Sequence, residues 1–327
     1  MLSTLRTLFK MTRPVNIVIA VITLLVGYEL LGANYPYFIK ATSGKSVFCL
    51  GWIVQALGFA FAIGFANIQN DILDLESDKT NRPERPLVTG EVSVKTARLA
   101  WIIMASLMLL CGLTNTLLQN FGSIEIQLDK CDIVFQSDNL WKSFITATSP
   151  LWFFVLLGAL LIAYNKWLKH IPLVKNMTVA FLCTTPLLFA LQYFYNFLHP
   201  FLESIAHSII PAIGFAFLLT TAREIYKDLE DEAGDRKAGI MTFPLFAGSK
   251  AANRLAGAIV LLTWLSLPIP VFFLGEQMLF LIITGITLTP IFAATLIFAH
   301  KKSYRQAQKL VKVAMFAGLV ALIISSN

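Results

Sequence analysis

Nine apolar runs, each about 17–25 residues long, constrain this chain more than any other feature. They fall near residues 14–32, 47–66, 97–118, 146–164, 173–195, 205–223, 255–274, 277–299 and 308–325. Each is long enough to cross the hydrocarbon of a bilayer as a helix. The runs are continuous and do not alternate with period two, so helices are expected and barrel strands are not. Charge agrees with this: 14% of residues are charged and 57% hydrophobic, where a soluble domain is about a quarter charged. The expected fold class is therefore all-α, a polytopic membrane protein with nine transmembrane helices. Arg6, Lys10 and Arg13 precede the first run without a small-residue cleavage site, so that run reads as a retained helix and not a signal peptide.

The basic residues set the expected orientation. With nine crossings, all but Lys40, Lys45, Lys130 and Lys142 of the 26 Lys and Arg residues fall on the side of the N-terminus. The positive-inside rule makes that side cytoplasmic and the C-terminus external. Topology thus accounts for the net charge of +7, and nucleic acid is not an expected partner. The four cysteines, Cys49, Cys111, Cys131 and Cys183, have no metal-type spacing. Only Cys131 with Cys49 could pair outside the membrane. Residues 119–145 read as an extracytoplasmic insertion of mixed polarity, with a short interfacial helix expected near 124–135.

Acid is concentrated in two places. Residues 67–96 and 224–254 hold twelve of the 19 Asp and Glu residues. Asp71, Asp74 and Asp78 are spaced i, i+3 and i+7, and Asp228, Asp231 and Asp235 repeat that spacing. On a helix this spacing puts three carboxylates on one face. Both groups follow an apolar run on the expected cytoplasmic side, and each leads to a Pro-Leu pair, Pro86-Leu87 and Pro244-Leu245. This is a weak internal repeat, with each half supplying one acidic helix end and one capping loop around a shared cavity.

Carboxylates grouped at a membrane boundary repel one another unless a cation holds them. One Asp at the centre of a span costs about 2.5–3.5 kcal/mol on insertion scales, so these acids belong at the interface or in a wet cavity. Oxygen-only ligands without nearby His or Cys favour a hard ion, and Mg²⁺ suits carboxylates plus substrate phosphate oxygens. The neighbouring cations Arg82, Arg85, Arg223 and Lys227 suit a diphosphate. A third polar element, Tyr164 to Lys169 with Lys175-Asn176, follows the fourth run on the same side. Each feature has a blander reading. The acids could be solvated helix ends, the cations surface ion pairs worth ~0–1 kcal/mol, and Tyr164 an interfacial anchor. A cation-coupled transporter is the non-enzymatic alternative. It calls for acids near the midplane and helices broken there, whereas these acids sit at the ends of runs, and Pro186 and Pro211 have no acidic neighbours.

Two motifs then carry a family resemblance. Asn70-Asp71-x-x-Asp74-x-x-x-Asp78 followed by Asn81-Arg82-Pro83-x-Arg85-Pro86-Leu87-x-x-Gly90 resembles the first signature of the UbiA superfamily of intramembrane prenyltransferases. Lys227-Asp228-x-Glu230-Asp231-x-x-Gly234-Asp235-x-x-x-Gly239-x-x-Thr242-x-Pro244 resembles the second. Arg13-Pro14-x-Asn16 and the Tyr164–Lys169 element are similar to further family motifs, and the likeness spans almost all of residues 1–327 as a single domain. The insertion 119–145 departs from compact members, on the face away from the motifs.

The resemblance implies nine helices around a central cavity with a cytoplasmic polar cap. It also implies transfer of a prenyl group from a prenyl diphosphate to a lipid or aromatic acceptor within membrane lipid. Carried over, Asp71, Asp74 and Asp78 would hold one Mg²⁺, and Asp231 and Asp235 with Asp228 a second. Arg82, Arg85, Lys169 and Arg223 would contact diphosphate, joined by Lys227. Asn67 or Asn70 would orient ligands, and Tyr164 would line the cavity. The motif variants are most similar to the branch acting on geranylgeranylglyceryl phosphate in ether-lipid synthesis. Quinone-type enzymes using 4-hydroxybenzoate or dihydroxynaphthoate are the alternative.

Overall fold

The computed structural model describes residues 2–33, 46–129, 148–198, 202–273 and 278–326. All regular structure among them is helical. In chain order the helices are α1 (Leu2–Met11), α2 (Pro14–Ala33), α3 (Ser46–Leu73), α4 (Leu75–Asn81), α5 (Val94–Asp129) and α6 (Ser149–Lys166). They continue with α7 (Val174–Leu198), α8 (Leu202–Lys237), α9 (Phe243–Ala247), α10 (Ser249–Leu265), α11 (Ile269–Phe273), α12 (Met278–His300) and α13 (Tyr304–Ser326). A 3₁₀ turn, Leu168–His170, sits between α6 and α7.

Nine segments among the described residues are long and apolar enough to cross a membrane. They match the nine runs read from the sequence, with shifted ends. The second span continues to Leu73 and the sixth to Lys237, so Asp71 and the whole second acid group lie on helical extensions of spans. Large apolar side chains along these helices face outward, among them Val18, Ile22, Ile102, Leu110, Ile286 and Phe316. Exposure of that kind is unfavourable in water and natural against lipid. Pro186, Pro211 and Pro290 lie inside α7, α8 and α12.

The expected interfacial helix at 124–135 takes another form: α5 continues unbroken to Asp129, and residues 130–147 lie outside the described set. Cys111 and Cys183 are free. The Cys49–Cys131 pairing falls outside the described residues.

The chain divides into two compact units. One comprises Met1–Leu25, Pro36–Lys166 and Gln192–His199, and it is built on mutual packing of α3, α5 and α6. Close approach here depends on glycine. A Cβ on Gly58 would sit 2.5 Å from Phe154 Cζ, and one on Gly158 would sit 2.8 Å from Met108 Cε. Small residues let membrane helices pack backbone to backbone, where lipid supplies no hydrophobic drive. Phe59 and Phe154 meet edge to face at 5.5 Å beside Gly58.

The other unit comprises Val26–Tyr35, Trp167–Leu191 and Pro200–Asn327, with α8, α10, α12 and α13 as its core. On α8, Leu219, Ala222, Tyr226 and Leu229 form the buried stripe. Ala252, Ala256 and Val260 of α10 and Ala307, Val311 and Ala314 of α13 meet it. The i, i+3/i+4 spacing of α8's apolar stripe leaves its acids on another face.

Candidate functional site

The first acid group is built where α3 leaves its apolar run. Asn67, Asn70 and Asp71 ride on α3, and the helix then breaks at Asp74 (φ −89°, ψ 4°) before α4 begins. The expectation of one uninterrupted helical face is corrected at this residue. Backbone bonds still cross the break: Asp74 N–H donates to Asn70 O at 2.9 Å and Asp78 N–H to Asp74 O at 2.8 Å. The Ser77 hydroxyl also donates to Asp74 O at 2.9 Å. Asp, Asn and Ser are weak helix formers, so an Asp- and Ser-rich stretch resists a helical break poorly.

The loop after α4 folds back over this region. Leu87 and Val92 bury themselves with Met11, Ile68 and Ala97. Arg85 O accepts N–H bonds from Val88 and Thr89, and Gly90 supplies a positive φ of 79°. Only glycine adopts that conformation at little cost. The fold-back delivers Arg85 to the acids. Its Nη1 donates to Asp71 Oδ1 at 2.9 Å and to Asp78 Oδ2 at 2.5 Å. Asp71 and Asp78 are each 6% exposed, so the charge-assisted bonds compensate buried carboxylates.

Arg13, which the sequence reading left without a role, joins them. Its Nη2 lies 3.3 Å from Asp71 Oδ1. Arg13 adopts φ 56° between α1 and α2, and the adjoining Thr12 O accepts from Asn67 Nδ2 at 3.0 Å. A non-glycine residue in the left-handed region costs energy that neighbouring contacts must hold. Arg82 is exposed, and its N–H closes α4 on Asp78 O at 2.8 Å.

Asn165 is a second positioning residue the sequence reading missed. It is buried, and its Nδ2 donates to Ala66 O and Gln69 Oε1, each at 2.9 Å. The bonds fasten the end of α6 to α3 one residue after half-buried Tyr164. The signal for it was an Asn inside an otherwise apolar span end. Lys169 is half-buried in the 3₁₀ turn of the other unit.

The second acid group lies in that other unit, on an unbroken α8. Asp228 is 4% exposed. Lys175 Nζ donates to its Oδ1 at 2.8 Å and Asn176 Nδ2 to its Oδ2 at 2.9 Å. Asp231 is exposed and Asp235 half-buried. Glu224, at the position matching Asn67 in the repeat, is buried and bonded to Arg223, with Lys227 Nζ 3.6 Å from its Oε2. Arg223 and Lys227 are therefore placed on a carboxylate. Helix α8 ends just past Asp235. Ile240 N–H returns to Asp235 O at 2.9 Å and Gly239 N–H to Arg236 O at 3.4 Å, with Gly239 at φ 68°. This is a Schellman cap, and it explains the Asp-x-x-x-Gly spacing.

Among the described residues, no three His, Cys, Asp or Glu side chains converge closely enough to hold a metal ion. The donor chemistry nevertheless suits a hard cation. Asp71 and Asp78 bring two carboxylate oxygens onto one positively charged nitrogen of Arg85. A site that focuses carboxylates on a guanidinium can focus them on a divalent ion.

Comparison with known proteins places the chain in a family. The chain is 27% identical to digeranylgeranylglyceryl phosphate synthase of Methanococcoides burtonii, over 98% of this chain and 100% of that one. A solved structure of digeranylgeranylglyceryl phosphate synthase in membranes superposes with a TM-score of 0.70, at 22% identity, covering 99% of this chain and 98% of the other. A UbiA homologue from Archaeoglobus fulgidus, solved with GPP and Mg²⁺, gives a TM-score of 0.53 at 19% identity, covering 97% and 99%. The model of the UbiA prenyltransferase family matches residues 15–124 and 140–320, and the gap between them falls within the expected insertion. The chain belongs to the UbiA prenyltransferase family and is an integral membrane prenyltransferase.

Proposed function

We propose that this enzyme transfers a geranylgeranyl group from its diphosphate to geranylgeranylglyceryl phosphate in ether-lipid synthesis, with Mg²⁺ at the acid groups. The observation that carries the reading is the convergence of buried Asp71 and Asp78 on one cationic nitrogen at the end of an apolar span. Full-length similarity to a digeranylgeranylglyceryl phosphate synthase supports the acceptor. A fold neighbour bound to GPP and Mg²⁺ supports the donor class and the metal.

In this reading Asp71, Asp74 and Asp78 hold one ion, and Asp231 and Asp235 a second. Asp228 completes the second set, with Lys175 and Asn176 engaging its two oxygens in the structure. Bound Mg²⁺ supplies charge neutralisation for the leaving diphosphate. Arg82, Arg85, Lys169, Arg223 and Lys227 bind and orient the diphosphate oxygens, Asn67 and Asn70 orient ligands, and Tyr164 lines the cavity. Apolar span residues exclude water from the allylic carbon, which blocks hydrolysis. The allylic C–O bond breaks with its electron pair on diphosphate. The acceptor's hydroxyl oxygen bonds the same carbon, and its proton leaves to solvent. The whole chain acts as one catalytic domain, with its N-terminus and acid groups cytoplasmic and its C-terminus external, as the basic residues direct.

The test is mass spectrometry of product from purified protein, geranylgeranyl diphosphate, Mg²⁺ and a mixed acceptor pool. Digeranylgeranylglyceryl phosphate is the expected product. A prenylated 4-hydroxybenzoate or dihydroxynaphthoate would move the acceptor to the quinone class. No product from any acceptor would sink the reading.

A further inference from the structure

Arg85 is placed to do more than contact a phosphate. Its Nη1 bonds both Asp71 and Asp78, and its side chain is 14% exposed against 8% for each carboxylate side chain. Arg13 adds a second positive charge on Asp71 at 3.3 Å. The two guanidiniums match the charge of the two carboxylates they touch. A divalent ion entering alone would have to break both Arg85 bonds and leave that guanidinium beside a dication. In a poorly solvated site this like-charge contact is costly. Diphosphate changes the balance by giving the displaced guanidinium an anion to pair with, in the fork geometry that suits it.

We propose that Arg85 is an exchangeable internal counter-ion that couples metal binding to diphosphate binding at the first acid group. Resting on the Mg²⁺–diphosphate reading above, the proposal adds an order to it. Arg85 holds Asp71 and Asp78 together and, with Arg13, compensates their charge until metal and diphosphate arrive, then passes from the carboxylates to the phosphate. The arrangement keeps the carboxylates preorganised without leaving them uncompensated. It also makes the site selective for the metal–diphosphate pair over free metal. Coupling of this kind is reciprocal, so each ligand tightens the other.

The experiment measures Mn²⁺ binding to the purified full chain by electron paramagnetic resonance, with and without inorganic diphosphate, and needs no turnover. In Arg85→Gln, Mn²⁺ alone is expected to bind at least roughly ten- to a hundred-fold more tightly than in the native protein, the factor that each of the two charge-assisted hydrogen bonds of Arg85 can supply. The further tightening caused by diphosphate is expected to shrink by a similar factor. Arg13→Gln, which removes one longer contact, should show the same changes to a smaller extent. It also keeps the test decisive if Arg85→Gln does not fold. A merely structural role for Arg85 would weaken metal binding, not strengthen it. If Mn²⁺ binding is lost in Asp71→Asn yet metal-only affinity is unchanged or lower in both Arg variants, the counter-ion role is overturned and the metal site stands. If the native protein binds no Mn²⁺ even with diphosphate, the metal reading fails and this proposal falls with it.

Discussion

Lys175 Nζ donates to Asp228 Oδ1 across 2.8 Å, joining the first turn of α7 to the acid face of α8. The carboxylate side chain is 5% exposed and the lysine side chain 21%. Asn176 takes the other oxygen. Lys175→Ala leaves a buried carboxylate without its cation, and the expected loss is about 1.5–3 kcal/mol. Thermal unfolding in detergent checks this. Asp228→Ala should cost much less in the Lys175→Ala background than in the native protein, as a double-mutant cycle will read.

Asn165→Leu removes both donors to Ala66 O and Gln69 Oε1. Leaving those acceptors unmet is expected to cost about 1–3 kcal/mol. Because Tyr164 precedes it, kcat/KM should fall further than lost stability explains. Steady-state kinetics at a temperature where the variant is fully folded separate the two effects.

Gly58 and Gly158 differ in a testable way. A Cβ on Gly58 meets the ring of Phe154, itself buried at 0% exposure, whereas one on Gly158 meets the terminal methyl of Met108. A packed ring cannot retreat, but a thioether tail can change rotamer. Gly58→Ala is expected to destabilise by about 1–3 kcal/mol, and Gly158→Ala by clearly less. Paired melting curves decide.

Gly239→Ala isolates a backbone effect. Nothing lies within 4 Å of an added Cβ, but φ is 68°. The expected cost is about 1 kcal/mol, from the conformation alone. It falls on the last turn of α8, which carries Asp235. Hydrogen exchange at residues 235–240 should rise, while α8's core turns stay protected.

The spans were legible because hydrocarbon length and apolar run length are the same constraint. The acid groups were legible because their spacing recurs. What stayed hidden depends on contacts across sequence distance. The break at Asp74 is a local backbone departure that the i, i+3, i+7 spacing does not encode. Arg13 reaches Asp71 only because of a left-handed turn between α1 and α2, and Asn165 reaches Ala66 only because α6 packs on α3. The partners of Asp228 stood in plain sight as Lys175-Asn176, yet nothing in their order tied them to that carboxylate. For Arg85, Arg223 and Lys227 the residue type read as phosphate-binding, while the fold places each on an acid.

The central claim is that the two acid groups release diphosphate with a divalent metal. The direct measurement is diphosphate release by purified protein supplied with geranylgeranyl diphosphate and geranylgeranylglyceryl phosphate. It is made with Mg²⁺, after chelation, and after Mg²⁺ is restored. The expected result is release with Mg²⁺, loss on chelation and recovery on restoration. Asp71→Asn and Asp235→Asn should each reduce release by at least about a hundredfold, as loss of a principal charge-stabilising group does. Undiminished release after chelation, or from both variants, would contradict the claim.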